Sequence, residues 1–211
     1  MGLRVENTHE APDDWHLACR DGRLTLCHPS DRPFALSYDD VQRRIESART
    51  SSVAKACGAD RRPNVLDALG GWALDAITLA RAGCYVTVTE ANPIVCAMAK
   101  NLAREADVRT TFVCGSVEEY SSENREFFDV VYLDPIFPQH PKGALPSRRM
   151  QILQILAKTD TDLMELFKIA REHSFNRVVV KLRRNQSSLF ESPDWQILGN
   201  AVRFDIYRTS V

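Results

Sequence analysis

From Asn64 onwards, short apolar segments alternate with segments of helical spacing, and this rhythm constrains the fold more than any other feature. The apolar segments are NVLDALGG (64–71), YVTVTEA (85–91), TTFVCG (110–115), FDVVYLDP (128–135) and NRVVVKL (176–182). Helical patterns occupy 73–83, 92–106 and 147–173, the last as one helix or as two broken near Thr159–Thr161. Strands that alternate with helices form βαβ units and favour a mostly parallel sheet.

The two ends of the chain depart from this rhythm. Near the C-terminus, WQIL (195–198) and VRFDIYR (202–208) flank Gly199-Asn200 and predict a closing hairpin at or near one sheet edge. At the N-terminus, RLTLCHP (23–29) predicts a short strand, and residues 37–58 predict a helix that ends at Gly58. We therefore expect an N-terminal extension over 1–60 and a main domain over 61–211.

Composition excludes several classes of protein. A chain of 211 residues with 44% hydrophobic and 26% charged residues is typical of one globular domain. The net charge of −1 lacks the basic excess of a dedicated nucleic-acid domain, so any such role depends on local patches. No apolar run is long enough to span a bilayer, and the polar, acidic N-terminus does not look like a signal peptide.

The six cysteines carry no metal-binding signature. They show no C-x-x-C pair and no zinc-type spacing with histidine, and several lie within apolar segments. We expect reduced cysteines, a cytoplasmic location, no membrane association and no metal.

Polar residues end four of the predicted strands. Asp67, Glu90, Ser116 and Asp134 lie at or just after these ends. Ligands of open α/β sheets bind at the carboxyl ends of the strands, near the point where the strand order reverses. The candidate site therefore lies on this edge of the sheet.

The first two strand ends favour a cofactor that contains a nucleoside. Gly70-Gly71 follows the first strand and lets the backbone turn tightly, although the full G-x-G-x-x-G fingerprint is absent and a plain βα turn explains it equally well. Glu90 follows Asp67 by about 23 residues, where an acid can bind both ribose hydroxyls. A solvated acid beside a helix N-terminus is the alternative. NAD and S-adenosylmethionine both fit these two features.

The segment Asp134-Pro135-Ile136-Phe137 separates the two cofactors. A dehydrogenase has no general need for it, whereas a methyltransferase that acts on an exocyclic amine does. An acid and a backbone carbonyl can accept the N–H bonds of such an amine and hold it in line with the sulfonium methyl. Phe137 can stack on an unstacked base, and Pro135 stiffens the segment. The alternative is a structural turn at the end of a strand.

The chain resembles the bacterial ribosomal RNA small-subunit methyltransferase J family over roughly residues 38–208. The resemblance rests on VLDALGGWALDAITLARAGCYVTVTEANPIVCAM, VVYLDPIFPQHPKGAL, RVVVKLRR and RFDIY. It implies an α/β, Rossmann-like class I methyltransferase fold, with a mostly parallel seven-stranded sheet, a C-terminal antiparallel hairpin and a small N-terminal α+β extension. It also implies S-adenosylmethionine as cofactor and the N2 amine of a guanine in 16S rRNA, or in the small ribosomal subunit, as target.

The resemblance also implies roles for individual residues. Cofactor contacts fall on Leu74, Asp75, Glu90, Ala91, Ser116, Val117 and Asp134, and the end of the first strand and its glycine turn add Asp67 and Gly70. Asp134, Pro135 and Phe137 are the candidate catalytic residues, and Lys142, Arg148 and Arg149 are the candidate RNA contacts. Trp72 covers the cofactor or packs under the sheet, and we favour packing.

The chain departs from the family in its cofactor loop. The family has Ala-Gly-x-Gly-Arg-Asp-Ala, whereas this chain has Gly-Gly-Trp-Ala-Leu-Asp-Ala, so Ala73 replaces a glycine and Leu74 an arginine. Ala73 costs little if its φ is negative and more if it is positive. Three functions therefore stay open: the rRNA methyltransferase, a methyltransferase acting on DNA, protein or a small molecule, and a non-catalytic RNA- or nucleotide-binding protein.

Overall fold

The computed structural model describes residues 14–136, 145–157 and 162–209. The candidates Phe137 and Lys142 lie outside these ranges. The strands are β1 (His16–Arg20), β2 (Arg23–His28), β3 (Asp31–Phe34), β4 (Asn64–Asp67), β5 (Tyr85–Thr89), β6 (Thr110–Val113), β7 (Phe128–Leu133), β8 (Ser174–Arg183), β9 (Trp195–Leu198) and β10 (Val202–Arg208). The α-helices are α1 (Gln42–Glu46), α2 (Ser52–Cys57), α3 (Leu74–Ala82), α4 (Pro93–Glu105), α5 (Val117–Glu123), α6 (Arg148–Leu156) and α7 (Leu163–Glu172).

Seven strands form one sheet in the order β6-β5-β4-β7-β8-β10-β9. The first five are parallel to one another, and β10 pairs antiparallel with both β8 and β9. This arrangement confirms the predicted mostly parallel sheet and its terminal hairpin. The chain runs from β4 outward to β6 and then crosses back to β7, so the strand order reverses between β4 and β7. A ligand crevice is expected at this point.

Alternate residues of the central strands pack on opposite faces of the sheet. Val65 and Val130 belong to the core beneath α2 and α3, whereas Leu66 and Val131 belong to the core beneath α5 and α7. Side chains of a strand alternate between faces, so a strand that is buried on both faces reads as a continuous apolar run. This explains why the sequence predicted these strands clearly.

A third apolar cluster joins the N-terminal region to the main sheet. It contains Leu26 and Leu36 from the N-terminal region, Ile94 and Met98 from α4, and Ile152 from α6. The N-terminal region therefore shares a core with α4 and α6.

From residue 14 onward, the N-terminal region contains three strands rather than the one that the sequence predicted. Strands β1, β2 and β3 form an antiparallel sheet, and β2 alone carries a run of buried side chains. The outer strands, HLACR and DRPF, are largely exposed and lack the apolar alternation that identifies a strand.

The single helix predicted over residues 37–58 is also wrong. The chain forms α1 and α2 with short 3₁₀ turns before and between them, and it ends at Gly58 in a left-handed conformation, as expected. The hydroxyls of Ser47 and Ser51 donate hydrogen bonds to backbone carbonyls three or four residues earlier. Ser51 also accepts from the Ala54 N–H and so starts α2. Such side-chain bonds compete with a continuous helix.

Two helical regions differ from the sequence prediction. Helix α5 was not predicted, and residues 147–173 form α6 and α7 as separate helices.

Cys96 and Cys114 form a disulfide with their Cα atoms 5.7 Å apart, so the expectation of reduced cysteines is wrong for this pair. Among the described residues, no helix has the length and apolar character needed to cross a bilayer.

Gly70 allows β4 and β5 to approach closely at the edge that carries the candidate site. A Cβ atom on Gly70 would lie 2.2 Å from Val88 Cγ1 and 3.1 Å from the Thr89 carbonyl oxygen. We therefore expect Gly70→Ala to lower the free energy of unfolding by about 1–3 kcal/mol through overpacking.

Urea denaturation measures this effect, with Gly115→Ala as the matched control. Gly115 also follows a parallel strand, but a Cβ there would meet only Glu119 Oε2, at an ordinary 3.4 Å. Its free energy of unfolding should change by less than about 0.5 kcal/mol. Equal effects of the two substitutions would contradict the close-packing argument.

Candidate active site

The carboxyl ends of four neighbouring strands bring the predicted polar residues to one edge of the sheet. In the order β6-β5-β4-β7, these ends are followed or formed by Ser116, Glu90, Asp67 and Asp134. Asp67 lies opposite Val88 of β5 and Tyr132 of β7 in the parallel register. The crevice between β4 and β7 is therefore lined by carboxylates.

The loop between β4 and α3 has two residues in the left-handed conformation that glycine favours, although the second of them is an alanine. Gly71 has φ +50° and Ala73 has φ +54°, so both lie in the left-handed region. A non-glycine residue there costs roughly 1–2 kcal/mol, and the buried Ala73 carries that cost. The substitution of the family's glycine by alanine has therefore left the turn in place.

Glu90 fixes this turn from the neighbouring strand. Its Oε2 accepts from the Gly71 N–H at 2.8 Å, and its Oε1 accepts from the Asn92 N–H at 2.8 Å. Burial raises the pKa of Glu90, although the two N–H groups lower it in part. Asn92 in turn caps α4 by accepting from the Ile94 and Val95 N–H groups.

Asp67 is a buried acid with an unused acceptor. Its side chain is 2% exposed, and no group among the described residues donates a hydrogen bond to its Oδ1. Burial raises the pKa of Asp67 well above its ordinary value, and the nearby carboxylates of Asp75 and Asp134 raise it further. A buried polar atom without a partner is rare and suits a position where a ligand group binds.

Asp75 is the most extensively bonded acid of the site. Its Oδ1 accepts from Arg44 at 2.8 Å, and its Oδ2 accepts from the Tyr132 hydroxyl at 2.8 Å and from Lys181 Nζ at 2.7 Å. Burial would raise the pKa of Asp75, but Lys181 and Arg44 together lower it to about 2. Asp75 is therefore an anion at neutral pH.

Lys181 links Asp75 to Asp134. Its Nζ lies 2.7 Å from Asp134 Oδ2 as well as 2.7 Å from Asp75 Oδ2. Burial alone would lower the pKa of Lys181, but the two carboxylates raise it above its ordinary value. For Asp134, partial burial raises the pKa, Lys181 lowers it and Asp75 raises it, and the net direction is upward.

The sequence analysis did not single out three of these residues, namely Lys181, Arg44 and Tyr132. Arg44 lies 31 residues before Asp75, and Lys181 lies 106 residues after it. No local spacing connects them, although the position of Lys181 at the end of a central strand is a signal that could have been used.

The remaining predicted cofactor contacts occupy varied environments. Ser116 accepts from the Glu119 N–H and caps α5, while Val117 is buried in the core beneath that helix. Ala91 is exposed, and Leu74 is half-buried at the start of α3. The structure brings all four to the same edge of the sheet as Glu90 and Asp67.

Trp72 packs against the protein, as expected, and ties the cofactor loop to α6. Its side chain is buried, its ring lies 5.6 Å from that of Phe34, and its Nε1 donates to the Arg149 carbonyl oxygen at 3.0 Å.

The predicted RNA contacts Arg148 and Arg149 each pair with an acid. Arg149 pairs with Asp40 at 3.1 Å. Arg148 contacts Asp31 at 3.2 Å and donates to the Arg32 carbonyl oxygen. Both arginines therefore already have partners in the N-terminal region.

Comparisons with known proteins agree with this geometry. A family profile described as putative SAM-dependent methyltransferase matches residues 34–209. The chain is 34% identical to ribosomal RNA small subunit methyltransferase J of Legionella pneumophila strain Corby, over 83% of this chain and 77% of the relative. It is 35% identical to the protein of that name from Thioalkalivibrio sulfidiphilus, over 88% and 80%.

The chain belongs to the ribosomal RNA small subunit methyltransferase J family. The fold of this methyltransferase J member is also that of a SAM-dependent methyltransferase from Neisseria gonorrhoeae, with TM-score 0.72 and 22% identity over 97% of this chain and 86% of that one. A putative methyltransferase solved with SAH has TM-score 0.52 and 14% identity, over 95% and 57%.

The residues of this methyltransferase J member fit S-adenosylmethionine, the cofactor of the family. The unused Oδ1 of Asp67 is an acceptor suited to an ammonium group, and Glu90 presents a carboxylate at the position expected for ribose.

Loss of the Glu90 carboxylate should destabilise the cofactor loop. Glu90→Gln leaves a single acceptor for the Gly71 and Asn92 N–H groups, so one of them faces an amide NH₂. We expect the free energy of unfolding to fall by about 1–3 kcal/mol in urea denaturation. Glu123→Gln, at an exposed position, is the control and should leave it nearly unchanged. A stable Glu90→Gln variant would show that the two bonds contribute little.

Proposed function

We propose that this protein transfers a methyl group from S-adenosylmethionine to the exocyclic N2 amine of a guanine in 16S rRNA. The observation that carries the proposal is the position of Asp134. It follows β7 on the same edge as Asp67 and Glu90, beside the reversal of strand order, and it is followed by Pro135. Family membership supports the same reaction, because the relatives are named for ribosomal RNA of the small subunit.

The chain's own residues would hold the cofactor along this edge. Asp67 Oδ1 would accept from the ammonium of the methionine part, Glu90 would accept from the ribose hydroxyls, and the region of Ser116 and Val117 would flank the adenine. Asp75 would order the loop through Arg44 and Lys181. When bound, S-adenosylmethionine supplies an electrophilic methyl group on a sulfonium.

Asp134 would position the target amine. The N2 lone pair of guanine is drawn into the ring, so the amine needs acceptors that hold it in line with the methyl group. Lys181 contacts Asp134 Oδ2, and no described residue donates a hydrogen bond to Oδ1. Oδ1 and a backbone carbonyl of the Asp134-Pro135 segment would accept the two N–H bonds. The amine loses its proton to water after transfer. Stacking of the base on Phe137 stays a prediction outside the described residues.

Two observations favour a catalytic protein over a non-catalytic binder. Ala73 adopts the left-handed conformation of the glycine that it replaces. Arg44 brings a guanidinium to Asp75, next to the position where Leu74 has replaced the family's arginine. The altered loop therefore keeps its turn and a neighbouring cation.

The RNA partner would approach over the start of α6. Arg148 and Arg149 lie there with side chains 40% and 31% exposed, so each keeps N–H groups for phosphates beside its pairing with an acid. Lys142, the third predicted contact, lies outside the described residues. The proposed partner is 16S rRNA or the small ribosomal subunit, and the proposed location is the cytoplasm.

Loss of the Asp134 carboxylate should abolish methyl transfer. With labelled S-adenosylmethionine and small ribosomal subunits, we expect Asp134→Ala to lower the rate by about 100-fold or more, because the amine loses its acceptor. Nucleoside analysis of the product should show N2-methylguanosine for the wild-type protein.

Asp129→Asn is the matched control, because Asp129 lies on the same strand at the opposite edge of the sheet. It should keep its methyl-transfer activity once circular dichroism shows that it is folded. Full activity of Asp134→Ala would remove Asp134 from the reaction. Transfer to DNA or protein, without transfer to rRNA, would replace the proposed substrate.

A contact between Arg148 and an RNA phosphate predicts that loss of Arg148 changes the salt dependence of RNA binding. Arg148→Gln should weaken RNA binding and reduce the slope of log K against log salt concentration by about 0.7–0.9, as expected for one lost phosphate contact. Arg171→Gln is the control, because Arg171 also pairs with an acid, Glu191, but lies on α7. Filter binding at several salt concentrations measures both slopes, and equal slopes would exclude the contact.

A further inference from the structure

Among the residues that the structure describes, Lys181 is the cation nearest to the proposed target-binding acid. It lies on β8, which pairs in parallel with β7, and Val180 is opposite Leu133. The next residues along the two strands are therefore Lys181 and Asp134. The Lys181 side chain is 20% exposed and its Nζ is 2.7 Å from Asp134 Oδ2.

The two acids that share Lys181 depend on it to different degrees. Asp75 also accepts from Arg44 and from Tyr132. Asp134 accepts from Lys181, and among the described residues no other side chain donates to it. Removal of Lys181 therefore leaves Asp75 with two partners and deprives Asp134 of its described partner.

We propose that Lys181 is a positioning residue for methyl transfer, which holds Asp134 ionised and in one orientation by binding Oδ2, so that Oδ1 accepts the amine. The proposal rests on the function proposed above. Asp75, which Arg44 bonds at its other oxygen, binds Lys181 from the opposite side. Lys181 therefore links Asp134 to the first turn of α3.

Lys181 is not a proton acceptor in this arrangement. Its two carboxylate partners keep it an ammonium, which has no free lone pair. In the transfer, the C–S bond of the sulfonium breaks, the C–N bond forms, and the N–H proton passes to water. Lys181 supplies a positive charge that orients Asp134, and it neither accepts nor donates a proton during the transfer.

The charged and titratable groups around Asp134 come from every neighbouring element. They are Lys181 on β8, Asp75 on α3, Arg44 on α1, Asp67 on β4 and Tyr132 on β7. Asp67 and Asp75 oppose ionisation of Asp134, whereas Arg44 lies on the far side of Asp75. Of the cations in the described part of the chain, Lys181 is the one in direct contact, so its removal should have the largest effect on Asp134.

The test replaces Lys181 by methionine and by arginine. In ¹³C NMR of the Asp carboxyl carbons, assigned by the signal missing in Asp134→Asn, Lys181→Met should raise the titration midpoint of Asp134 by about one to three pH units. Lys181→Arg keeps the charge and should leave the midpoint close to that of the wild type. The acidic limb of kcat/KM for methyl transfer should shift upward with Lys181→Met and return with Lys181→Arg.

A purely structural role would give a different result. It would lower Tm in Lys181→Met without moving either the Asp134 midpoint or the acidic limb, and that outcome would overturn the proposal. If Lys181→Met does not fold, the Lys181→Met/Asp75→Asn double variant also removes the acid that repels Asp134, and the same titration applies with Asp75→Asn as its reference. Lys168→Met, on the exposed face of α7, is the control and should change neither quantity.

The two readouts separate this proposal from the proposed function. The NMR titration needs no substrate, so an unchanged Asp134 midpoint in Lys181→Met overturns the role of Lys181 even in an active enzyme. Absence of methyl transfer by the wild-type protein overturns the proposed function, while a raised midpoint would still support the control of Asp134 by Lys181.

Discussion

One ammonium group, on Lys181, lies between the carboxylates of Asp75 and Asp134, and the functional edge of the sheet is organised around it. Two acids this close to each other and to Asp67 repel one another when ionised, and their burial adds a desolvation cost. The ammonium offsets both effects because it contacts each carboxylate at hydrogen-bond distance. Its removal would leave uncompensated charge in the crevice where the strand order reverses.

The N-terminal region takes part in the same arrangement. Arg44 reaches Asp75, Asp40 pairs with Arg149, and Phe34 contacts Trp72. Each of these contacts joins a residue before β4 to the cofactor loop or to the start of α6. The small antiparallel sheet and its short helices therefore brace the site from outside the main sheet.

The central fold was predictable because its central strands are buried on both faces and α4 begins with a clear cap. The continuous apolar runs of β4, β7 and β8 and the Asn92 cap of α4 are local signals. The exposed β1 and β3 carry no such signal, and the serine bonds that divide residues 37–58 involve backbone groups that a sequence pattern does not reveal. The strand-end acids were predicted by position. Their cations were not, because Lys181 and Arg44 meet Asp75 across long separations in the chain.

The segment between Ile136 and Leu145 begins and ends at points that are fixed independently. Lys181 holds Asp134 on one side, and on the other Trp72 and Asp40 hold Arg149 at the start of α6. The contacts of both anchors are made by described residues on either side of the segment. Substitutions in the segment, which includes the candidates Phe137 and Lys142, are therefore expected to leave these contacts in place. This separation makes the segment a suitable place for libraries aimed at changing substrate preference.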